Sequence, residues 1–330
     1  MEAAIGAYLL AHEGHIQHVE VQRGAWTVYC RCARCEDVHT YEVDNEARVQ
    51  ALNEAMEQAL ATPPWPGSSE ELLLEEELKG AIGREELRVH YQPQVLLSTG
   101  EIVGVEALVR WEHPEVGLLT PSEFVPLAEQ TGMIVPLGSW VLAEACHQAR
   151  SFREQIPPDA TLRMCVNVSA LQLREPDLVE EVAEILLETK LDPRDLALEV
   201  TESVMTEHDR SNAVGMLRGL RNLGLSLAID DFGTGHSSIT DLEGFPVDIL
   251  KMDRSMVEGV DKNPEHRAMV SETTSLAHAL DLGVVAEGVE SVGELEELRS
   301  MGCDCAQGYY WQRPCSAEKV GELLAAGFDP

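Results

Sequence analysis

What constrains this chain most is an alternation. Beyond residue 87, short apolar runs of strand length recur eight times: RVHYQPQV, VGVEALVRW, RMCVNVSA, LALEVTES, SLAIDDFG, DILKMDR, GVVAEGVE and CAQGYYW. Most are separated by stretches that are apolar on a 3.6-residue period, such as PLGSWVLAEACHQARSFREQ, EPDLVEEVAEILLETK, SNAVGMLRGLRNLG, PEHRAMVSETTSLAHALDLG and SVGELEELRSMG. Gly224, Gly283 and Gly302 stand where these helices must stop before the next strand. Eight strands with intervening helices in about 250 residues predict an α/β fold of the (β/α)8 TIM-like barrel type. One joint breaks the rule. Only LLSTGEI separates the first two strands, and a parallel crossover needs a dozen residues or more. The first strand is therefore expected to run antiparallel to the second, turning at Ser98, Thr99 and Gly100.

Ahead of the barrel, ATPPWPGSSEE breaks two helical patterns. Residues 1–62 read as a small ββα-type module, 63–71 as a linker, and 72–330 as the barrel. Within the module, AWTVYCRCARCEDVHTYEVD alternates like a hairpin, and NEARVQALNEAMEQALA has the period of an amphipathic helix capped by Asp44 or Asn45. Cys30, Cys32, Cys35 and His39, with His12, His15 and His18 upstream, leave two readings open: a structural zinc site, or a plain hairpin with surface thiols. The spacing lacks a second cysteine pair.

Composition narrows the chemistry. With 58 acidic against 24 basic residues, a net charge of −34 disfavours binding to nucleic acid or anionic lipid, so no nucleic-acid or membrane partner is expected. If the substrate is a phosphate compound, cations must mediate. The stretch MEAAIGAYLLAHEGHIQHVE makes a poor signal peptide, and no run of about 18 apolar residues offers a membrane span. A cytoplasmic location is expected. Eight cysteines are too sparse for a disulfide framework, and Cys146, Cys165, Cys303, Cys305 and Cys315 read as free thiols.

Barrel chemistry gathers at the C-terminal ends of the strands, where residues two apart share a face. Near those ends stand Glu106, Asn167, Glu199, Asp230, Lys251 and Glu287, one from each of six successive strands. Two positions earlier lie Gly104, Cys165, Ala197, Ala228, Ile249 and Val285, an apolar or small layer beneath a polar ring. Any one carboxylate could simply be solvated or cap a helix; six polar residues in register point to a site. An oxygen-rich set with Asp231 added, and no His or Cys, suits Mg²⁺ or Mn²⁺ before Zn²⁺, with Ca²⁺ as a bound, inhibitory substitute. The adjacent aspartates can serve two ions, Asp230 bridging and Asp231 holding the second. Two metals about 4 Å apart suit in-line attack on a phosphodiester.

These residues resemble a known family, the EAL-domain phosphodiesterases of cyclic di-GMP. EALVRW is its signature, and YQPQ, HP, PSEFVPLAEQTG, VNVSALQL, LEVTES, DDFGTGHSS, FPVDILKMDRSMV, AEGVES and AQGYYWQRP extend the likeness from about residue 72 to about residue 327. The resemblance implies Glu106, Asn167, Glu199 and Asp230 on one metal and Asp230, Asp231 and Glu287 on the other. It implies catalytic roles for Lys251, Glu106 and Glu202, the last anchoring the loop after Asp231. Gln92, Arg110, Glu290 and Gln307 match substrate-contacting positions. The implied reaction is hydrolysis of cyclic di-GMP to linear 5′-pGpG by a metal-activated water, which lowers this second messenger in bacterial signalling, and the implied assembly is a homodimer. The alternative is a catalytically silent cyclic di-GMP receptor. Two positions depart from the pattern: His236 stands where an aromatic is common, and Ala306 opens AQGYYW.

Overall fold

The computed structural model describes residues 16–22, 27–32, 38–42, 69–157, 160–205, 210–234, 242 and 244–326. The chain divides into two compact units, Met1–Glu76 and Glu77–Pro330.

In the first unit, β1 (Ile16–Gln22), β2 (Thr27–Cys32) and β3 (Val38–Glu42) form an antiparallel sheet in the order β1-β2-β3. The hairpin expected from the sequence is β2-β3, and β1 adds a third strand in front of it. The backbone register sets Cys30 opposite His39. His12, His15 and Cys35, needed to judge the zinc reading, lie outside the described residues, as does the helix expected over 45–61.

Helix α1 (Ser69–Ala81) begins inside the stretch read as a linker. The second unit then runs through β4 (Leu87–Leu96), β5 (Ile102–His113), β6 (Gly117–Leu119), α2 (Pro121–Gln130), α3 (Ile134–Arg153), β7 (Arg163–Asn167) and α4 (Leu178–Thr189). It continues with β8 (Leu196–Thr201), α5 (Arg210–Asn222), β9 (Ser226–Phe232), β10 (Ile249–Met252), α6 (Arg254–Val257), α7 (Pro264–Ala279), β11 (Gly283–Ala286), α8 (Val292–Ser300), β12 (Cys305–Ala306) and α9 (Ala317–Ala326). Eight strands close a barrel in the order β4-β12-β11-β10-β9-β8-β7-β5, sealed by the β4–β5 pairing, with β6 added on the edge of β5. Pairings from β5 round to β12 are parallel. Strand β4 is antiparallel to both its neighbours, as the short first connection requires. Gly100 turns that hairpin at φ +79°, its N–H donating to the Leu96 carbonyl at 2.8 Å.

The helices pack on the outer face of this barrel. On α3, Leu137, Val141, Leu142, Ala145, Cys146, Ala149 and Phe152 form the buried stripe that the 3.6-residue period demands. Phe152 meets the ring of Tyr91 on β4 edge-on at 5.6 Å. Each large side chain of this kind contributes roughly 1.5–3 kcal/mol by leaving water. One stop signal lies elsewhere than expected. Gly224 and Gly302 do turn left-handed after their helices, but after α7 that conformation belongs to Asp281 (φ +60°), and Gly283 already opens β11. Asp tolerates the left-handed region because its short polar side chain can bond locally, so the glycine is not needed there.

Inside the barrel, Ala228, Ile249 and Val285 form a buried apolar cluster with Cys305 packed against it, the floor expected beneath the polar ring. Cys146, Cys165 and Cys303 are buried and Cys305 and Cys315 half-buried, all as free thiols. Among the described residues, no helix is long and apolar enough to cross a membrane.

Candidate active site

Because each barrel strand from β5 to β11 is hydrogen-bonded to its successor, residues in register along the sequence are neighbours around the mouth. Glu106 lies on β5, Asn167 ends β7, Glu199 is on β8, Asp230 on β9, Lys251 on β10, and Glu287 follows β11. Lys251 lies at the hub. Its Nζ is 2.6 Å from Glu199 Oε2, 2.8 Å from Glu287 Oε1, 2.9 Å from Asp230 Oδ1 and 3.3 Å from Glu106 Oε2, and the side chain is 1% exposed. Neutral amides fill in between the charges. Asn167 Nδ2 donates to Glu106 Oε1 at 2.9 Å, and Gln307 Nε2 donates to Glu106 Oε2 at 2.7 Å and to Glu287 Oε1 at 2.8 Å.

The electrostatics follow from one cation facing several buried acids. Burial opposes the charge on Lys251, yet Asp230, Glu106, Glu199 and Glu287 overcome it and hold the ammonium well above the ordinary lysine value. Burial would likewise raise Glu106, but Lys251, Gln307 and Asn167 keep it below the usual carboxylate value. Glu199 goes the other way: burial, with repulsion from Glu106 and Asp230, outweighs Lys251 and lifts it well above normal. Glu287 is pushed up to about 8, by burial first and then by Asp230 and Glu106 against the pull of Lys251. Asp231 is raised by burial and by its neighbour Asp230.

How two consecutive residues serve one site is a backbone question. In a strand, neighbouring side chains point to opposite faces. Asp231 escapes by taking a left-handed conformation (φ +54°), one of the few side chains to do so at modest cost. Its carboxylate thereby comes round to the same side as that of Asp230. Two groups of potential ligands result, Glu106 with Glu199 and Asp230, and Asp230 with Asp231 and Glu287, each with one oxygen per residue mutually within 4.8 Å. Asp230 belongs to both. The backbone two residues on is pinned as well. Gly233 N–H donates to the buried Glu202 Oε2 at 3.1 Å, and a side chain at Gly233, whose φ is +108°, would run into Met256. Glu202 thus holds the backbone that orients Asp231. His236 lies outside the described residues.

The four positions matched to substrate contacts separate. Gln307 is buried among the carboxylates, as described above. Gln92 is opposite Glu106 in the β4–β5 register and donates to the Gln312 carbonyl at 3.1 Å. Arg110 is buried, donates to the Val109 carbonyl at 2.8 Å, and has its pKa lowered by burial. Glu290 is exposed and paired with Arg254 at 3.1 Å. Sequence reasoning missed Gln94 and Arg254. Gln94 shares a face with Gln92, two residues away in YQPQ, so the signal was present.

The family model for the EAL domain matches residues 75–314. The bifunctional diguanylate cyclase/cyclic di-GMP phosphodiesterase MucR of Pseudomonas aeruginosa is 43% identical over 253 residues, which cover 77% of this chain and 36% of that protein. The cyclic di-GMP phosphodiesterase NbdA of the same organism is 41% identical over 259 residues, 78% of this chain and 33% of that protein. The chain therefore spans about a third of the length of these curated relatives. Among solved structures, the PaMucR phosphodiesterase in its c-di-GMP complex matches with a TM-score of 0.71 and 42% identity, covering 75% of this chain and 99% of that one.

Proposed function

The chain belongs to the EAL domain family, and on that premise we propose that its barrel hydrolyses cyclic di-GMP to linear 5′-pGpG with two divalent cations, Mg²⁺ or Mn²⁺, at the strand-end carboxylates. The observation that carries this reading is the pair of oxygen-ligand groups sharing Asp230 around a buried lysine. The donor set fits hard cations. Glu199 Oε1 is buried without a hydrogen-bond partner, a lone pair that a cation would satisfy. Glu106, Asn167, Glu199 and Asp230 would hold one ion, and Asp230, Asp231 and Glu287 the other. When bound, the ions supply Lewis acidity, lowering the pKa of coordinated water and offsetting charge on the phosphodiester. Ca²⁺, which accepts looser coordination, would bind without supporting turnover.

The protein's own residues set the stage for that step. Water adds to phosphorus, the bond to the 3′ oxygen breaks, and that oxygen leaves with a proton. Lys251, held as an ammonium, is no general base at neutral pH. Its three donors are all taken up by four carboxylates, so it acts through its charge rather than through a free N–H, offsetting the negative charge that develops at the phosphodiester. Lys251, Gln307 and Asn167 keep Glu106 ionised for its ligand role. Glu202 keeps Asp231 turned inward through Gly233. The names of the relatives, two of them cyclic di-GMP phosphodiesterases, support the choice of substrate.

The test is conversion of cyclic di-GMP by purified wild-type, Glu106→Ala and Lys251→Ala proteins with Mn²⁺, followed by chromatography. Loss of a preorganised charge-stabilising group predicts a drop in pGpG formation of about 10²- to 10³-fold for Lys251→Ala. A comparable loss is expected for Glu106→Ala. Unchanged rates in both folded variants would overturn the assignment.

A further inference from the structure

Gln307 faces the two carboxylates Glu106 and Glu287 with its amide nitrogen. Nothing in the side chain itself enforces that choice, because the two ends of an amide have the same shape and opposite polarity. Turned over, it would aim a carbonyl oxygen at both acids. A residue on another strand removes the ambiguity. Gln94 Nε2, on β4, donates to Gln307 Oε1 at 3.1 Å, and both side chains are buried, at 6% and 5% exposure. Gln94 is oriented in turn, since its own Oε1 accepts from the Cys165 thiol at 3.5 Å. The thiol is buried on β7 beside that oxygen and is the donor of the pair. Polarity is thus determined outward from the acids: amide nitrogen toward carboxylate, carbonyl toward Gln94, and the Gln94 carbonyl toward sulfur.

Space for this relay is built into the sheet. Gly104 is the residue opposite Gln94 in the β4–β5 register, and a Cβ there would come within 2.7 Å of Gln94 Oε1 and 3.3 Å of the Arg163 carbonyl. A glycine one layer below Glu106 is what lets the glutamine side chain enter the barrel.

We propose that Gln94 is a positioning residue for the cation site, acting through Gln307 to hold Glu106 and Glu287 in the geometry that binds metal. This rests on the metal-dependent reading above. The experiment measures Mn²⁺ affinity calorimetrically for wild type, Gln94→Met, Gln307→Met and the double variant. Met keeps the length of the side chain and removes both polar ends. Removing a group that stands behind a metal ligand typically weakens binding by about 10- to 100-fold, and that is the loss expected for Gln94→Met. Because Gln94 acts through Gln307, adding Gln94→Met to Gln307→Met should change the affinity by less than about twofold. Wild-type affinity in Gln94→Met, or an undiminished further loss in the double variant, would overturn the inference while leaving the metal site intact. A wild-type protein that takes up no Mn²⁺ would overturn both the inference and the proposed function. Should Gln94→Met fail to fold, Gly104→Ala replaces it in the same cycle, since it displaces the same amide from β5.

Discussion

Replacing Lys251 with methionine removes the one cation at the centre of the site and keeps most of its volume. At an effective dielectric of about 20, each ionised carboxylate in contact with it is a Coulomb attraction of about 5–6 kcal/mol, taken at separations of 2.6 to 3.3 Å, and Glu199 and Glu287, raised toward the neutral acid, contribute less. Most of that sum is offset by desolvation of the ammonium and by repulsion among the acids. What is left for loss of one partner of a buried charge cluster is about 3–5 kcal/mol. For a unit of this size, that lowers the melting temperature of the metal-free protein by roughly 6–20 °C. The pH dependence has a definite sign. Glu199 and Glu287 already lie above the unfolded carboxylate value of 4.5, and without Lys251 they rise further. A carboxylate raised on folding binds more protons in the native state, so its contribution to stability falls as pH rises from the unfolded value through the folded one. Glu106, which Lys251 chiefly holds below the ordinary carboxylate value, rises as well once Lys251 is gone. The variant should therefore lose stability more steeply than wild type from about pH 5 to about pH 8 and keep losing it above pH 8, where Glu287 of wild type has already ionised. Mn²⁺, which replaces the missing charge, should recover more stability for the variant than for wild type. Thermal melts of both proteins, with and without Mn²⁺ across that range, provide the check. Melting temperatures within about 2 °C of each other at every pH in metal-free buffer would refute the account of Lys251 as the hub.

With metal-free Glu287 raised to about 8 and Glu199 held well above the ordinary carboxylate value, cation binding near pH 7 should release at least about one proton, and affinity should climb with pH until these groups are ionised. Calorimetry in two buffers of different ionisation enthalpy measures the release; none at all would contradict the reading. Glu202→Ala removes the acceptor of the Gly233 N–H, and hydrogen exchange at that amide should speed up by about 10-fold, the equivalent of a charge-assisted hydrogen bond worth about 1.5 kcal/mol. Turnover should fall with it, because Asp231 loses its fixed backbone. Gly233→Ala demands a positive φ of an L side chain and collides with Met256; urea denaturation should show a loss of about 1–3 kcal/mol.

The polar ring was legible because two simple periods coincide. Strands alternate faces every two residues, and here each barrel strand from β5 to β11 pairs with the next barrel strand in sequence, so Glu106, Asn167, Glu199, Asp230, Lys251 and Glu287 follow one another around the mouth as they do along the chain. The reversed first strand was legible from the length of one loop. Other features lie outside what periodicity encodes. Nothing in a strand pattern says that Lys251 is 1% exposed and shared by four acids, since lysine is almost always a surface residue. The left-handed turn of Asp231, which lets adjacent aspartates converge, is a backbone choice that the sequence permits but does not announce. Gln307 was matched to a substrate contact, while the structure shows its amide engaged by Glu106, Glu287 and Gln94. In the first unit, IQHVEVQ forms β1 although its alternation is broken by polar residues on both faces.

The central claim is that these carboxylates gather two cations to cut one phosphodiester of cyclic di-GMP. The most direct measurement is a time course of cyclic di-GMP with wild-type protein, run with Mn²⁺, with excess chelator, and with Mn²⁺ restored. The account predicts pGpG formation that stops with chelator and returns with the metal. Hydrolysis that continues in excess chelator, or cyclic di-GMP that binds and is never cut under any of the three conditions, would contradict it.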